Sequence, residues 1–352
     1  MTAPTRPPGI DVAVVTGWLG EHVGLAPPLT FNLISGGRSN LTYGVTDATG
    51  RTVVLRRPPV SHVLSTAHDM SREYRMISAL AGTPVPVPAA LAFCADESVT
   101  GQAFYIMNFV AGHVLRGAAE TEATLDIAAR RAAGEDLVNV LAAIHAVDVD
   151  AVGLGDFARR DGYIERQLKR WRGQFTKSQE QAREVGVYRP VPVVDEVHKL
   201  LAERVPVQIG TAIVHGDYRL DNTIVSDSGR IQAVLDWELC TLGDPLADVG
   251  TLLAYWAEDG ATFAALPQTA ATGLPGFPSR AQVADRYAQR SGRDVSGIGF
   301  YVAFAYWKLA CILEGVFVRY AAGAQGVGAD DADLLGRGVQ DRAERALEAL
   351  EA

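Results

Sequence analysis

The chain has 352 residues, of which 48% are hydrophobic and 21% charged, enough apolar material for one large domain or two smaller ones. Its 32 Lys plus Arg stand against 41 Asp plus Glu, a formal charge of −9 that argues against a surface gripping a nucleic-acid backbone. Cys94, Cys240 and Cys311 lie far apart with no C-x-x-C spacing, which speaks against a zinc site or a disulfide framework and for buried thiols in a reducing compartment.

The Pro-rich residues 1–10 carry no apolar run of a secretory signal, so the expected location is the cytoplasm. Residues 11–24 predict a short amphipathic helix with Val14, Val15, Trp18 and Leu19 on one side. Residues 29–34, 41–45 and 52–55 read as strands, separated by a tight Gly-containing turn and by a turn at 47–50, and Pro58-Pro59 stops the third. Residues 65–80 show helical spacing through Met70, Tyr74, Ile77 and Leu80. Pro84, Pro86 and Pro88 then mark an extended linker, residues 91–94 and 103–107 read as two more strands, and Val110-Ala111-Gly112 as a connection between lobes. Beyond residue 113 the pattern is mostly helical, interrupted by two β-like runs at 223–225 and 231–235, with 273–278 as a surface loop. The apolar run 298–318 contains Lys308, Glu314 and several aromatics and predicts a buried core helix rather than a membrane span. Strands first and helices later indicate an α+β chain with segregated layers.

Chemistry concentrates in Val214-His215-Gly216-Asp217-Tyr218-Arg219-Leu220-Asp221-Asn222 and, fourteen residues after Asn222, in Asp236-Trp237-Glu238. Phosphoryl transfer needs a carboxylate to orient the acceptor hydroxyl and take its proton, oxygen ligands for magnesium, and cations on the transferring group. Asp217 and Asn222 reproduce the D-x-x-x-x-N spacing of a kinase catalytic loop, and Asp236 follows an apolar strand as a second metal ligand should. Asp217 is thus the candidate base, Asn222 and Asp236 the candidate magnesium ligands, and Arg219 a candidate contact to phosphate or acceptor. His215, Asp221, Asp244 and Asp248 are expected to shape the loop rather than to react.

The runs 215–222 and 235–248 (LDWELCTLGDPLAD) resemble the aminoglycoside phosphotransferase and choline kinase superfamily, closest to a branch that includes kinase-like domains fused to acyl-CoA dehydrogenases. The resemblance implies a protein-kinase-like bilobal fold. Residues 1–108 would form an antiparallel sheet lobe with one helix that binds the nucleotide, and residues 109–352 a mainly helical lobe with the catalytic loop and acceptor pocket. It implies ATP, or GTP in its place, with Mg2+. Ser35, Gly36, Gly37, Arg38, Ser39 and Asn40 would cover the phosphates, and Asn108, Phe109 and Val110 would receive the base. Val53-Val54-Leu55-Arg56 occupies the V-A-I-K position of kinases, with arginine for lysine. The four lysines, at 169, 177, 199 and 308, offer no substitute in the first 168 residues. Arg56, with Arg57 next, is therefore the candidate phosphate cation and Glu73 its partner.

The expected partner is a small molecule bearing a hydroxyl, with neither nucleic acid nor membrane expected and the oligomeric state open. The basic, aromatic stretch 163–175 and the absence of a dense acidic cluster suit an anionic acceptor such as a hydroxyacyl-CoA better than a polycationic aminoglycoside. The alternatives are an aminoglycoside or macrolide kinase and a catalytically weak nucleotide-binding module.

Overall fold

β1 (Thr30–Ser35), β2 (Leu41–Thr46) and β3 (Thr52–Arg57) run as an antiparallel meander. Asp47 makes the second turn: its carboxylate accepts from the backbone N–H of Thr49 and Arg51, which closes the chain tightly enough to pair Thr46 with Thr52. β5 (Phe104–Asn108) pairs with β3, and β4 (Ala90–Cys94) forms the outer edge, giving the order β1-β2-β3-β5-β4. The computed structural model describes residues 7–35, 40–60, 69–258, 271–323 and 329–351.

Strand alternation divides the side chains between two faces. Val53 and Leu55, with Phe104 and Ile106, face α1 (Val12–Val23), which buries Val15 and Leu19 against them. Val54, Tyr105 and Met107 face α2 (Met70–Leu80), which brings Met76, Ile77 and Leu80. Arg56 shares the face of Val54, whereas Arg57 lies on the opposite face, its guanidinium donating to the carbonyls of Gly9 and Thr100. Arg57 is therefore held away from the cleft. Asp11 caps α1 and Gly24, at φ 71°, ends it. Val14, expected on the buried side, is exposed, because the buried stripe of α1 is Val15 and Leu19 alone. Asp69 caps α2, and residues 61–68, which include the expected first turn of that helix, lie outside the described residues.

After the short α3 (Glu97–Thr100) and the sheet comes the helical part: α4 (Ala118–Thr124), α5 (Ile127–Ala146), α6 (Tyr163–Glu184), α7 (Pro192–Glu203), α8 (Leu246–Tyr255), α9 (Arg280–Ser291), α10 (Ile298–Ala321) and α11 (Ala329–Glu351). α10 is long and apolar enough to cross a membrane by length and composition. Its most apolar stretch is 89% buried inside the protein, however, where it packs on α6, α7, α8 and α11. Its crossing with α8 is close: a Cβ on Gly250 would come within 2.4 Å of the Tyr301 backbone.

Two β-pairs interrupt the helices rather than the single pair of runs expected. β7 (Thr223–Val225) pairs with β8 (Ile231–Val234), and β6 (Ala212–Val214) with β9 (Thr241–Gly243). β6 and β9 are too short to show an alternating pattern. The 273–278 segment is not a free surface loop. Pro278 is buried, its ring would meet a Cβ placed on Gly134 at 2.4 Å, and its carbonyl accepts from Trp256 Nε1 at 2.8 Å.

Candidate active site

β6 delivers the chain into His215-Gly216-Asp217. Gly216 sits at φ 86°, and a Cβ there would meet the Leu239 carbonyl oxygen at 2.9 Å, so the turn requires glycine. Asp248, in the first turn of α8 and fully buried, accepts from the backbone N–H of His215 at 2.6 Å and of Gly216 at 2.8 Å. The His215 ring completes the brace. Its Nε2 donates to the Leu235 carbonyl at 2.9 Å and its Nδ1 accepts from the Asp217 N–H at 3.3 Å, which places the ring proton on Nε2. From the far side Lys308 Nζ donates to the Gly216 carbonyl at 2.7 Å.

Asp217 is held from its own loop. Asn222 Nδ2 donates to the Asp217 carbonyl at 2.8 Å and to its Oδ2 at 3.0 Å, and Arg219 Nε donates to the same Oδ2 at 3.2 Å. Arg219 also pairs with Asp221 at 3.0 Å and lies 4.8 Å from the centre of the Tyr255 ring. Burial pushes the Asp221 carboxyl up to about 6, against the pull of Arg219.

The β7–β8 hairpin carries the second loop. Leu235 N–H donates to the Asn222 carbonyl at 2.8 Å, tying the two loops together. Asp236 follows at φ 63°, the one non-glycine residue with positive φ among those described. Backbone strain at such a site is characteristic of functional positions. Arg56 reaches both sides of the cleft: its Nε donates to Glu73 Oε2 at 2.8 Å and its NH2 group to Asp236 Oδ1 at 2.5 Å. Glu73, 1% exposed, also accepts from Tyr105 Oη at 3.0 Å and from Asn40 Nδ2 at 2.9 Å. Burial raises its pKa while Arg56 holds it down. Asn40 Nδ2 bridges onward to Glu238 at 3.2 Å, and burial with the neighbouring Asp236 charge pushes Glu238 up to about 7.

A cavity of about 260 Å3 opens between the sheet and these loops. Ser35, Arg56, Arg219, Asn222 and Asp236 line it, while Glu73 and Asn40 stand behind Arg56 rather than in the wall. Asn108, Phe109 and Val110 are not in the wall. Asn108 spends its N–H and side chain on Ala89, Phe109 is exposed, and Met107 and Val114 take the apolar positions. Gly36, Gly37, Arg38 and Ser39 lie outside the described residues. Sequence reasoning missed the Asn40–Glu238 bridge and the Lys308 contact. A lone lysine in an apolar helix was the available signal for the second.

Among the described residues no three His, Cys, Asp or Glu side chains converge as a metal cluster. The Asn222 and Asp236 side chains do line the same cavity, and with its Nδ2 spent on Asp217, Asn222 has its Oδ1 to offer beside the Asp236 carboxylate. One amide oxygen plus one carboxylate is a hard-oxygen donor set that suits magnesium retaining several waters.

The profile of the phosphotransferase enzyme family matches residues 30–284. Acyl-CoA dehydrogenase family member 10 of Mus musculus is 33% identical over 310 residues, which cover 87% of this chain and 28% of the mouse protein. The chain spans 28–43% of the length of the curated relatives it matches. A Ralstonia eutropha JMP134 crystal structure, provisionally described as an aminoglycoside phosphotransferase, superposes with a TM-score of 0.79 at 35% identity, over 97% of this chain and 98% of that one. The amicoumacin kinase hAmiN in complex with AMP-PNP, Ca2+ and its antibiotic shares the fold, with a TM-score of 0.58 at 19% identity over 96% and 94% of the two chains.

Proposed function

The chain belongs to the phosphotransferase enzyme family, and from that premise we propose that it moves the γ-phosphoryl group of ATP to a hydroxyl of a small molecule, with Asp217 as base. The observation that supports this reading is that Arg56, Asn222 and Asp236 line one cleft, with Asp217 bound through its Oδ2 to Asn222 Nδ2. Asn222 and Arg219 fix Asp217 Oδ2, and among the described residues no hydrogen bond engages its Oδ1. That oxygen orients the acceptor hydroxyl and takes its proton as the new oxygen–phosphorus bond forms and ADP leaves. Arg56 and Arg219 balance charge on the phosphates. Magnesium held by Asn222 and Asp236 would supply the remaining charge neutralisation.

The nucleotide assignment draws on hAmiN, whose complex holds AMP-PNP. A hydroxyacyl thioester is the acceptor class we favour, since relatives at 33% and 32% identity are acyl-CoA dehydrogenase family members. The three buried free thiols suit a cytoplasmic setting. A second reading, a nucleotide-binding module of low activity, has one observation in its favour: Arg56 already occupies Asp236, a metal ligand in the first reading.

Asp217→Asn decides between them. Turnover with ATP and a hydroxyacyl-CoA panel is expected to fall about 100-fold or more while nucleotide affinity stays close to that of the parent. Undiminished turnover in that variant would sink the assignment of the base. A parent protein that binds ATP but transfers to no acceptor would favour the binding module.

A further inference from the structure

A second cavity, about 390 Å3, lies against the same two loops. That volume is within the range of small-ligand pockets. Gly216 and Glu238 belong to its wall, α6 supplies Arg170 and Trp171, α2 supplies Arg72, and α10 supplies Lys308. Three cationic side chains thus face one carboxylate. Arg72 is fixed: its guanidinium donates to the carbonyls of Phe157 and Cys240 and stacks 4.0 Å from the Phe157 ring centre. Arg170 is exposed and rests over Trp171 at 4.9 Å, free to turn into the cavity.

Lys308 is the informative member. It is 8% exposed, and its ammonium makes one hydrogen bond, to the Gly216 carbonyl, and pairs with no carboxylate among the described residues. An ammonium has three protons to donate, and burying a cation without a counter-charge is costly. Burial pushes the Lys308 pKa down, while Asp217 and Asp248 hold it up. The bond to Gly216 also places this cation one residue from Asp217.

We infer that this cavity receives an anionic group of the acceptor, a carboxylate or a phosphate, held by Lys308, Arg72 and Arg170 while the acceptor hydroxyl reaches Asp217. The inference rests on the phosphotransferase reading and adds to it the site that holds the acceptor's anionic group. A cationic acceptor would meet like charge from three sides, so the same residues select against it.

The test is calorimetric titration of the full chain with succinate, ethyl phosphate and uncharged dimethyl succinate, in magnesium and saturating ADP so that anions are kept from the nucleotide cleft. At least one of the two anions is expected to bind about tenfold or more tighter than the diester, the increment of one charge-assisted hydrogen bond. Arg170→Ala, an exposed position where the fold is not at stake, should weaken that binding about tenfold. Lys308→Met should abolish it. Binding of succinate alone names a carboxylate and binding of ethyl phosphate alone a phosphate. Anions that bind no better than the diester, or that bind Arg170→Ala as well as the parent, overturn the inference. The ADP titration of the parent stands apart: failure there counts against the phosphotransferase reading, while the comparison of anion binding to the parent and to Arg170→Ala still decides the anion arm.

Discussion

Arg56 reaches Glu73 through Nε and Asp236 through its NH2 group, in a position where kinases carry lysine. The substitution has a geometric logic. A guanidinium is a rigid fork whose donors diverge, so a single side chain can hold two carboxylates on opposite sides of a cleft, whereas an ammonium offers one nitrogen. Glu73 is nearly inaccessible to solvent; burial raises its pKa, and the pairing with Arg56 opposes that rise. Arg56→Met should therefore cost about 3–5 kcal/mol, the usual penalty for stripping one partner from a buried pair. Glu73→Gln in the same chain should recover much of the loss, because the neutral amide no longer needs a counter-charge. Urea denaturation of the two single variants and the double variant tests this. Strictly additive losses would show that Arg56 does not stabilise Glu73. Arg56→Lys should keep the pair with Glu73 and release Asp236, which would appear as a change in magnesium dependence with little change in stability.

At the scale of elements, the 215–222 loop owes its shape to α8. Asp248 takes up two backbone N–H groups that would otherwise be buried without partners, and on its other side it meets His145 of α5 at 3.4 Å. His145 is fully buried. Its Nδ1 faces Tyr287 Oη at 2.7 Å, Arg293 donates to its carbonyl, and Asp244 lies close enough to favour its charged form. Burial outweighs Asp248 and lowers its pKa. A histidine depressed in the folded state stabilises the fold above its unfolded value of about 6.5 and loses that contribution as pH falls below it, since only the unfolded chain takes up the proton. Asp221 and Glu238, whose values are raised, shift stability in the opposite direction over the same range. The histidine contribution must therefore be read as the difference between the parent and His145→Gln. That difference should shrink between about pH 7 and pH 5 in denaturant titrations, and a difference independent of pH would refute it. Much of this region was legible in the sequence. The Asp217–Asn222 spacing, the apolar run before Asp236 and the Val53-Val54-Leu55-Arg56 run are local signals, each spanning a few residues. The contacts from Lys308, His145 and Asn40 were not, because each joins residues 92, 103 and 198 positions apart and leaves no period in the chain. β6 and β9 escaped for a related reason: three apolar residues pair because of where the chain brings them, not because of their own pattern. Asn108 spends its N–H on the Ala89 carbonyl, a bond made at the strand edge that side-chain type does not announce.

For the whole molecule, the sheet and the helical part share one apolar cluster and are joined by specific polar bonds across it. Arg56 reaches Asp236, Asn40 reaches Glu238, and Arg72 reaches Phe157 and Cys240. The cavity between them is lined from both sides, with Ser35, Arg56 and Met107 from the sheet and Asn222 and Asp236 from the loops opposite. A nucleotide filling that cavity touches both parts, so it binds the assembled molecule and not the unfolded chain. Linkage then fixes the size of the effect: at a hundred times Kd a ligand of the folded state adds about 2.7 kcal/mol. In a chain of this length that corresponds to a rise in melting temperature of about 4 °C. AMP-PNP with magnesium should produce this rise, and EDTA should remove most of it, since the triphosphate would then face Asp236 without an intervening cation. Asp236→Asn should lose the magnesium-dependent part and keep the rest, because it removes a ligand charge but leaves Arg56 in the wall. Equal shifts with and without magnesium in the parent would mean that Asp236 and Asn222 do not act through a metal, and that the Arg56–Asp236 pair is the resting arrangement of a site that binds nucleotide by other means.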